Sequence, residues 1–152
     1  MASEAIVMDR AAIMAAIPHR DPFLHVTRVL AREQDSIVSE WDVARELPAF
    51  QGHYPGHPVL PGVLVCEFTF QTAAILFSEP GSSAVTNAAV PVLTKIEDAR
   101  FKSIVKPGET LRAEVVVEER LANARYCKAS VTCGGRLVAR LRFVVASVSE
   151  VA

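Results

Sequence analysis

Cysteine is scarce in this chain, and the little there is has no pattern. Only Cys66, Cys127 and Cys133 occur among 152 residues. They form neither an even-numbered framework nor a metal-ligand spacing, so no disulfide scaffold or structural zinc site is expected, and the thiols suit a reducing cytoplasm. Met1–Asp9 lacks a basic segment leading into an apolar core, so no secretory leader is expected. Internal repeats, linkers and low-complexity tracts are missing as well. The length matches a single domain over residues 1–152. Basic residues of the C-terminal half are not interleaved with aromatics, which argues against nucleic acid as a partner.

Apolar residues, by contrast, are plentiful. They make up 51% of the chain against 22% charged, with a mean hydropathy of +0.27. That balance excludes a disordered or collagen-like chain. It also leaves more apolar surface than a small monomer hides, which predicts a subunit interface. The longest apolar run, Val59–Phe77, contains Pro61, Gly62, Glu67 and Gln71, so it reads as a buried helix and not as a membrane span. The net charge of −1 conceals an asymmetry. Ten Lys/Arg face four Glu between Arg100 and Arg142, so that stretch carries +6 and the remainder −7. An acidic protein or an anionic ligand arm would be attracted to it.

In order, the patterning predicts a short helix over Asp9–Ile17 ended by Pro18, then strands over Phe23–Arg32 and Ser36–Asp42. A rigid irregular loop follows over Glu46–Pro61, rich in Pro and Gly. A helix runs over Gly62–Phe77 with Pro61 at its start. Glu79–Ala89 reads as a loop. Strands follow over Val90–Lys102, Thr110–Leu121, Ala124–Cys133 and Arg136–Ser147, the last alternating Leu137, Ala139, Leu141, Phe143 and Val145 on one face. One sheet of about six antiparallel strands curling round one apolar helix satisfies this order, an α+β domain.

Glu67 is the only charged residue of that helix. Burial of a carboxylate costs several kcal/mol unless it is paired or neutralised, so its pKa should rise, as a general acid near neutral pH requires. All four histidines lie between His19 and His57; His53 and His57 sit in the loop feeding the helix. A histidine is the natural base to set beside Glu67. The N–H groups of Gly62 and Val63 open the helix without intrahelical partners and could hold a carbonyl oxygen gaining charge. Base, acid and oxyanion donors together suit proton abstraction next to a carbonyl with loss of a neighbouring hydroxyl. The plainer alternatives are a loop histidine bonded to backbone and a buried carboxylate satisfied by backbone or by Gln71. Zinc binding by His53, His57 and Glu67 is disfavoured by the prolines, and a buried Cys66 beside a carboxylate is a poor nucleophile.

Phe50-Gln-Gly-His-Tyr-Pro-Gly-His-Pro-Val-Leu-Pro-Gly-Val-Leu-Val-Cys-Glu67 closely resembles the active-site segment of the 3-hydroxyacyl-acyl carrier protein dehydratases of the FabZ type. Ile17-Pro-His-Arg-Asp-Pro-Phe-Leu24 and Ala99-Arg-Phe-Lys102, with Val105 and Pro107-Gly108, resemble two further motifs of that family. The resemblance implies a hot-dog fold and a homodimer, with a trimer of dimers as a further assembly. It also implies His53 as the base that removes the α-proton and Glu67 as the group assisting departure of the hydroxyl, the two coming from opposite subunits. Gly62 matches the position whose N–H binds the thioester oxygen, with Val63 beside it.

No metal or nucleotide cofactor is implied. The substrate would ride on the phosphopantetheine arm of an acyl carrier protein, which Arg100, Lys102 and Lys106 could dock. Phe68 and Phe70 replace small residues of the family pattern next to Gln71 and should alter the acyl tunnel or the helix packing. Asp21, Thr27, Val92, Leu93, Lys95, Ser103 and Ile104 also depart from it. On the same fold, thioester hydrolysis or non-catalytic acyl binding with Phe68 and Phe70 blocking the tunnel are the alternatives.

Overall fold

Among the described residues, six strands in the order β1-β2-β4-β5-β6-β3 form a single antiparallel sheet. They are β1 (Arg28–Arg32), β2 (Ser36–Asp42), β3 (Ala89–Phe101), β4 (Thr110–Leu121), β5 (Ala124–Cys133) and β6 (Arg136–Ser149). The helices are α1 (Arg10–Ala16), α2 (Ala49–Gly52) and α3 (Gly62–Leu76). The computed structural model describes residues 4–78 and 89–149. The loop expected over Glu79–Ala89 lies outside them, except for Ala89, which begins β3.

Asp9 caps α1 by accepting from the Ala12 N–H at 2.9 Å. The sheet strands alternate as a half-buried sheet must. Leu111, Ala113 and Val115 of β4 are fully buried, while Arg112, Glu114 and Val116 between them face away from the core. Onto the buried face lies α3, which touches five of the six strands. Its last three turns are buried almost without interruption, from Val65 to Leu76. A helix apolar on every side is stable only when enclosed, and the curled sheet encloses it. This is the hot-dog fold. Polar groups of the core pair with one another here: the hydroxyls of Ser39 and Thr72 share a 2.8 Å hydrogen bond between β2 and α3.

Three local expectations need correction. The strand expected from Phe23 begins only at Arg28. The Phe23 carbonyl and the His25 N–H are both bonded to the Gln71 carboxamide, so this stretch pairs with a helix side chain in place of a strand. The loop over Glu46–Pro61 contains the single turn α2. In β6, Val138 is buried where Leu137 was expected, because the register with β5 shifts between Val131 and Thr132.

The two sheet edges differ. Val29 of β1 exchanges backbone hydrogen bonds with Met8, so the N-terminal segment covers that edge. The outer edge of β3 has no strand against it among the described residues, and Val92, Ile96 and Phe101 are 41–50% exposed along it. Such an edge is a template for another chain.

His25 is 2% exposed, with its ring centroid 5.1 Å from that of Phe23 and 4.4 Å from that of Trp41. Neither ring nitrogen has a partner. Burial, aided by the charge on His19, pushes its pKa down to about 4. The folded ring therefore stays neutral where the unfolded one, titrating near its ordinary ~6.5, binds a proton. Stability should be level above about pH 6.5 and fall as pH drops towards 4. In chemical denaturation at pH 7 and pH 5, His25→Leu should show a smaller acid loss than the parent protein.

Candidate active site

Pro48 opens α2, and the chain leaves it at His53, whose N–H reaches the Ala49 carbonyl. The His53 ring is fixed by a 2.8 Å bond between Nδ1 and the Val59 carbonyl, which leaves Nε2 as the free nitrogen. Tyr54, with φ of 54°, and Gly56, with φ of 94°, turn the loop through left-handed conformations between the two histidines. Its far end is tied down by the Leu60 N–H, which donates to the Val105 carbonyl at 2.8 Å. Pro61 then precedes the first turn of α3, where Leu64 and Val65 both reach back to the Pro61 carbonyl. The Gly62 and Val63 N–H groups are left at the positive end of the helix dipole. A Cβ built on Gly62 would stand 3.0 Å from the Phe101 ring, so glycine lets this ring lie against the helix start without shifting.

Glu67 lies one turn further along α3. Its Oε2 accepts a 3.0 Å bond from Gln71 Nε2, which also donates to the Phe23 carbonyl at 2.7 Å, while Gln71 Oε1 accepts from the His25 N–H at 2.7 Å. Gln71 thus both satisfies the core and orients Glu67. Burial pushes the Glu67 carboxyl above its ordinary pKa, and the Gln71 bond only partly opposes this. Opposite stands His19, with Nε2 3.8 Å from Glu67 Oε2. Burial and the neighbouring Arg20 charge lower the His19 pKa.

These two residues, with Phe70, Ala74, Val92 and Leu93, line a cavity of about 230 Å³. Phe70 forms a wall of this cavity, edge-on to Phe143 with ring centroids 4.9 Å apart. Phe68, expected beside it, points the other way. It is fully buried against Trp41, and the structure does not bring it to the cavity. Phe70 therefore borders open space next to Glu67, and Phe68 lies away from it. Cys66 is buried and its thiol is pushed up, chiefly by burial, as expected of an inert cysteine.

No hydrogen bond or ion pair joins His53 to Glu67 within the chain, and His53 does not line the Glu67 cavity. Of the basic residues expected to dock a carrier, Arg100 is paired with Asp98 at 3.0 Å. Lys102 and Lys106 are exposed on the segment that holds Leu60, and neither appears in an ion pair among the described residues. His19 was not singled out by sequence reasoning. Its signal was faint, a place in the Ile17–Leu24 motif, because the fold brings it to Glu67 from far along the chain. Among the described residues no group of three His, Cys, Asp or Glu could hold a metal, and no helix is long and apolar enough to cross a membrane.

Residues 29–136 match the family model of the ApeI-like dehydratases. A 3-hydroxyacyl-acyl carrier protein dehydratase FabZ of Rickettsia massiliae is 40% identical over 139 residues, covering 91% of this chain and 94% of that protein. The chain belongs to this dehydratase family. Its Rickettsia rickettsii relative of the same name is equally similar, at 40% identity over the same shares. The fold agrees: the dehydratase heterocomplex ApeI:P from Xenorhabdus doucetiae superposes with a TM-score of 0.76 at 15% identity, over 91% of each chain. Membership makes the chain a lyase, a hydro-lyase by class.

Replacing Gln71 with Leu would leave the Phe23 carbonyl and the His25 N–H unmet in the core. At roughly 1–3 kcal/mol for each unsatisfied group, Gln71→Leu should lower the unfolding free energy by about 2 kcal/mol or more, measured by urea denaturation.

Proposed function

We propose that the chain removes water from 3-hydroxyacyl thioesters carried by an acyl carrier protein, giving trans-2-enoyl thioesters in fatty-acid or related acyl synthesis. The observation that carries this reading is the Glu67 carboxyl, raised in pKa by burial and aimed at an apolar cavity. A carboxyl that keeps its proton can give it to a departing hydroxyl. His53, oriented through Nδ1, takes the C2 proton at Nε2. The Gly62 and Val63 N–H groups hold the thioester oxygen as it gains charge. Residues 1–152 act as one domain, and the acyl chain lies along Phe70 and the cavity beyond it, with Gln71 holding the acid in place.

A complete site then needs two copies of the chain, each supplying His53 to the other's Glu67. Supporting this are the separation of the pair within one chain and the unpaired, apolar edge of β3. Lys102 and Lys106, with Arg100 beside them, flank the helix start and would steer an acidic carrier to it. The three free thiols favour a cytoplasmic setting.

Turnover followed by enoyl absorbance tests the assignment. His53→Ala should abolish enoyl formation and Glu67→Gln should reduce it by about 100-fold or more. Mixing the two inactive variants should restore part of the activity, because some mixed dimers regain one intact site. Activity in both variants, or release of free thiol in place of enoyl, would overturn the reading. Phe70→Ala should deepen the cavity and shift the best substrate to longer acyl chains, read from kcat/KM across a chain-length series.

A further inference from the structure

His19 reaches Glu67 across a gap that is too wide for a hydrogen bond and suited to a single oxygen atom. The loop that carries His19 is held firmly. The Arg20 guanidinium donates to the carbonyls of Met14 and Ile17 at 2.9 Å and of His19 itself at 2.7 Å. Phe23 lies alongside the imidazole, nearly parallel, with ring centroids 6.5 Å apart. His19 Nδ1 is buried without a partner. The ring's other nitrogen faces Glu67 Oε2 at 3.8 Å, and the side chains of His19 and Glu67 keep only 28% and 23% of their surface exposed. Polar atoms separated by such a gap are commonly bridged, and an oxygen can lie about 2.8 Å from each.

Resting on the dehydration proposed above, we infer that His19 and Glu67 together seat the oxygen that leaves the substrate, with His19 Nε2 as its second hydrogen-bond partner. An orphaned buried N–H is rarer than an unmet acceptor, which puts the ring proton on Nε2, facing Glu67. Burial lowers the His19 pKa and so favours the neutral ring, which donates without becoming a competing acid. The electron pair of the C2–H bond forms the second bond between C2 and C3 while His53 takes the proton. The C3–O bond breaks with its electron pair going to oxygen. Glu67 gives that oxygen its proton, so water and a carboxylate result, and His19 keeps its own proton throughout. An N–H aimed at the oxygen gains strength as negative charge builds there, so its effect falls on the transition state.

Two polar substitutions separate this role from a structural one. H19Q carries an amide N–H at about the reach of Nε2, whereas the amide of H19N stops at that of Nδ1. H19N should lower kcat on 3-hydroxyacyl thioesters about 10- to 100-fold, the worth of a hydrogen bond to a charged group, with H19Q recovering most of the loss. Binding of the saturated acyl thioester, which has no 3-hydroxyl, should be unchanged in both. Undiminished turnover in H19N would overturn the inference. So would equal losses in both variants accompanied by weakened binding of the saturated thioester. In either case the dehydration reading stands as long as the parent protein forms enoyl product; a parent protein without that turnover overturns both.

Discussion

The Gln71 carboxamide is the constraint on which the rest of the site depends. Three groups meet on it: the Phe23 carbonyl and the His25 N–H of the segment leading to β1, and the Glu67 carboxyl. Each is costly to leave unmet in a low-dielectric interior, and one side chain meets them all. The same amide binds both the scaffold and the acid, so the core positions the Glu67 carboxyl through Gln71. Burial raises the pKa of that carboxyl, and the Gln71 bond only partly opposes the rise.

Burial and directionality divide the labour along α3. Its first turn is accessible, with Val63 74% exposed, and presents backbone N–H groups. Its second turn holds the carboxyl at the border of the core, and the remaining turns are enclosed by the sheet. The loop before it is pinned at His53 through Val59 and at Leu60 through Val105. The groups proposed for catalysis thus sit where the helix passes from solvent to interior, the zone where a polar group can be desolvated and still be reached by a ligand.

Much of this was legible in the sequence, and for definite reasons. The period of two in β4 to β6 and the largely apolar character of Gly62–Leu76 state the sheet and the enclosed helix directly. The lone glutamate on that helix declares itself by its cost. What stayed hidden depends on long-range contact. No local pattern shows that Phe68 turns to Trp41 while Phe70 turns to Phe143, since both stand on a helix apolar all round. Nor does any spacing reveal that His19 faces Glu67 or that Gln71 takes over the hydrogen bonds of Phe23 and His25. The shortened β1 has the same origin: its residues fit a strand, and a side chain elsewhere claims the backbone.

The contact between Gly62 and Phe101 ties together two parts of the chain that differ in every other respect. One is the opening of a helix, the other the end of an edge strand, and the space between them leaves no room for a Cβ unless the ring gives way. The two positions are thereby coupled: a side chain at 62 would have to displace the Phe101 ring, so what stands at the opening of the helix decides how the last side chain of the edge strand can lie.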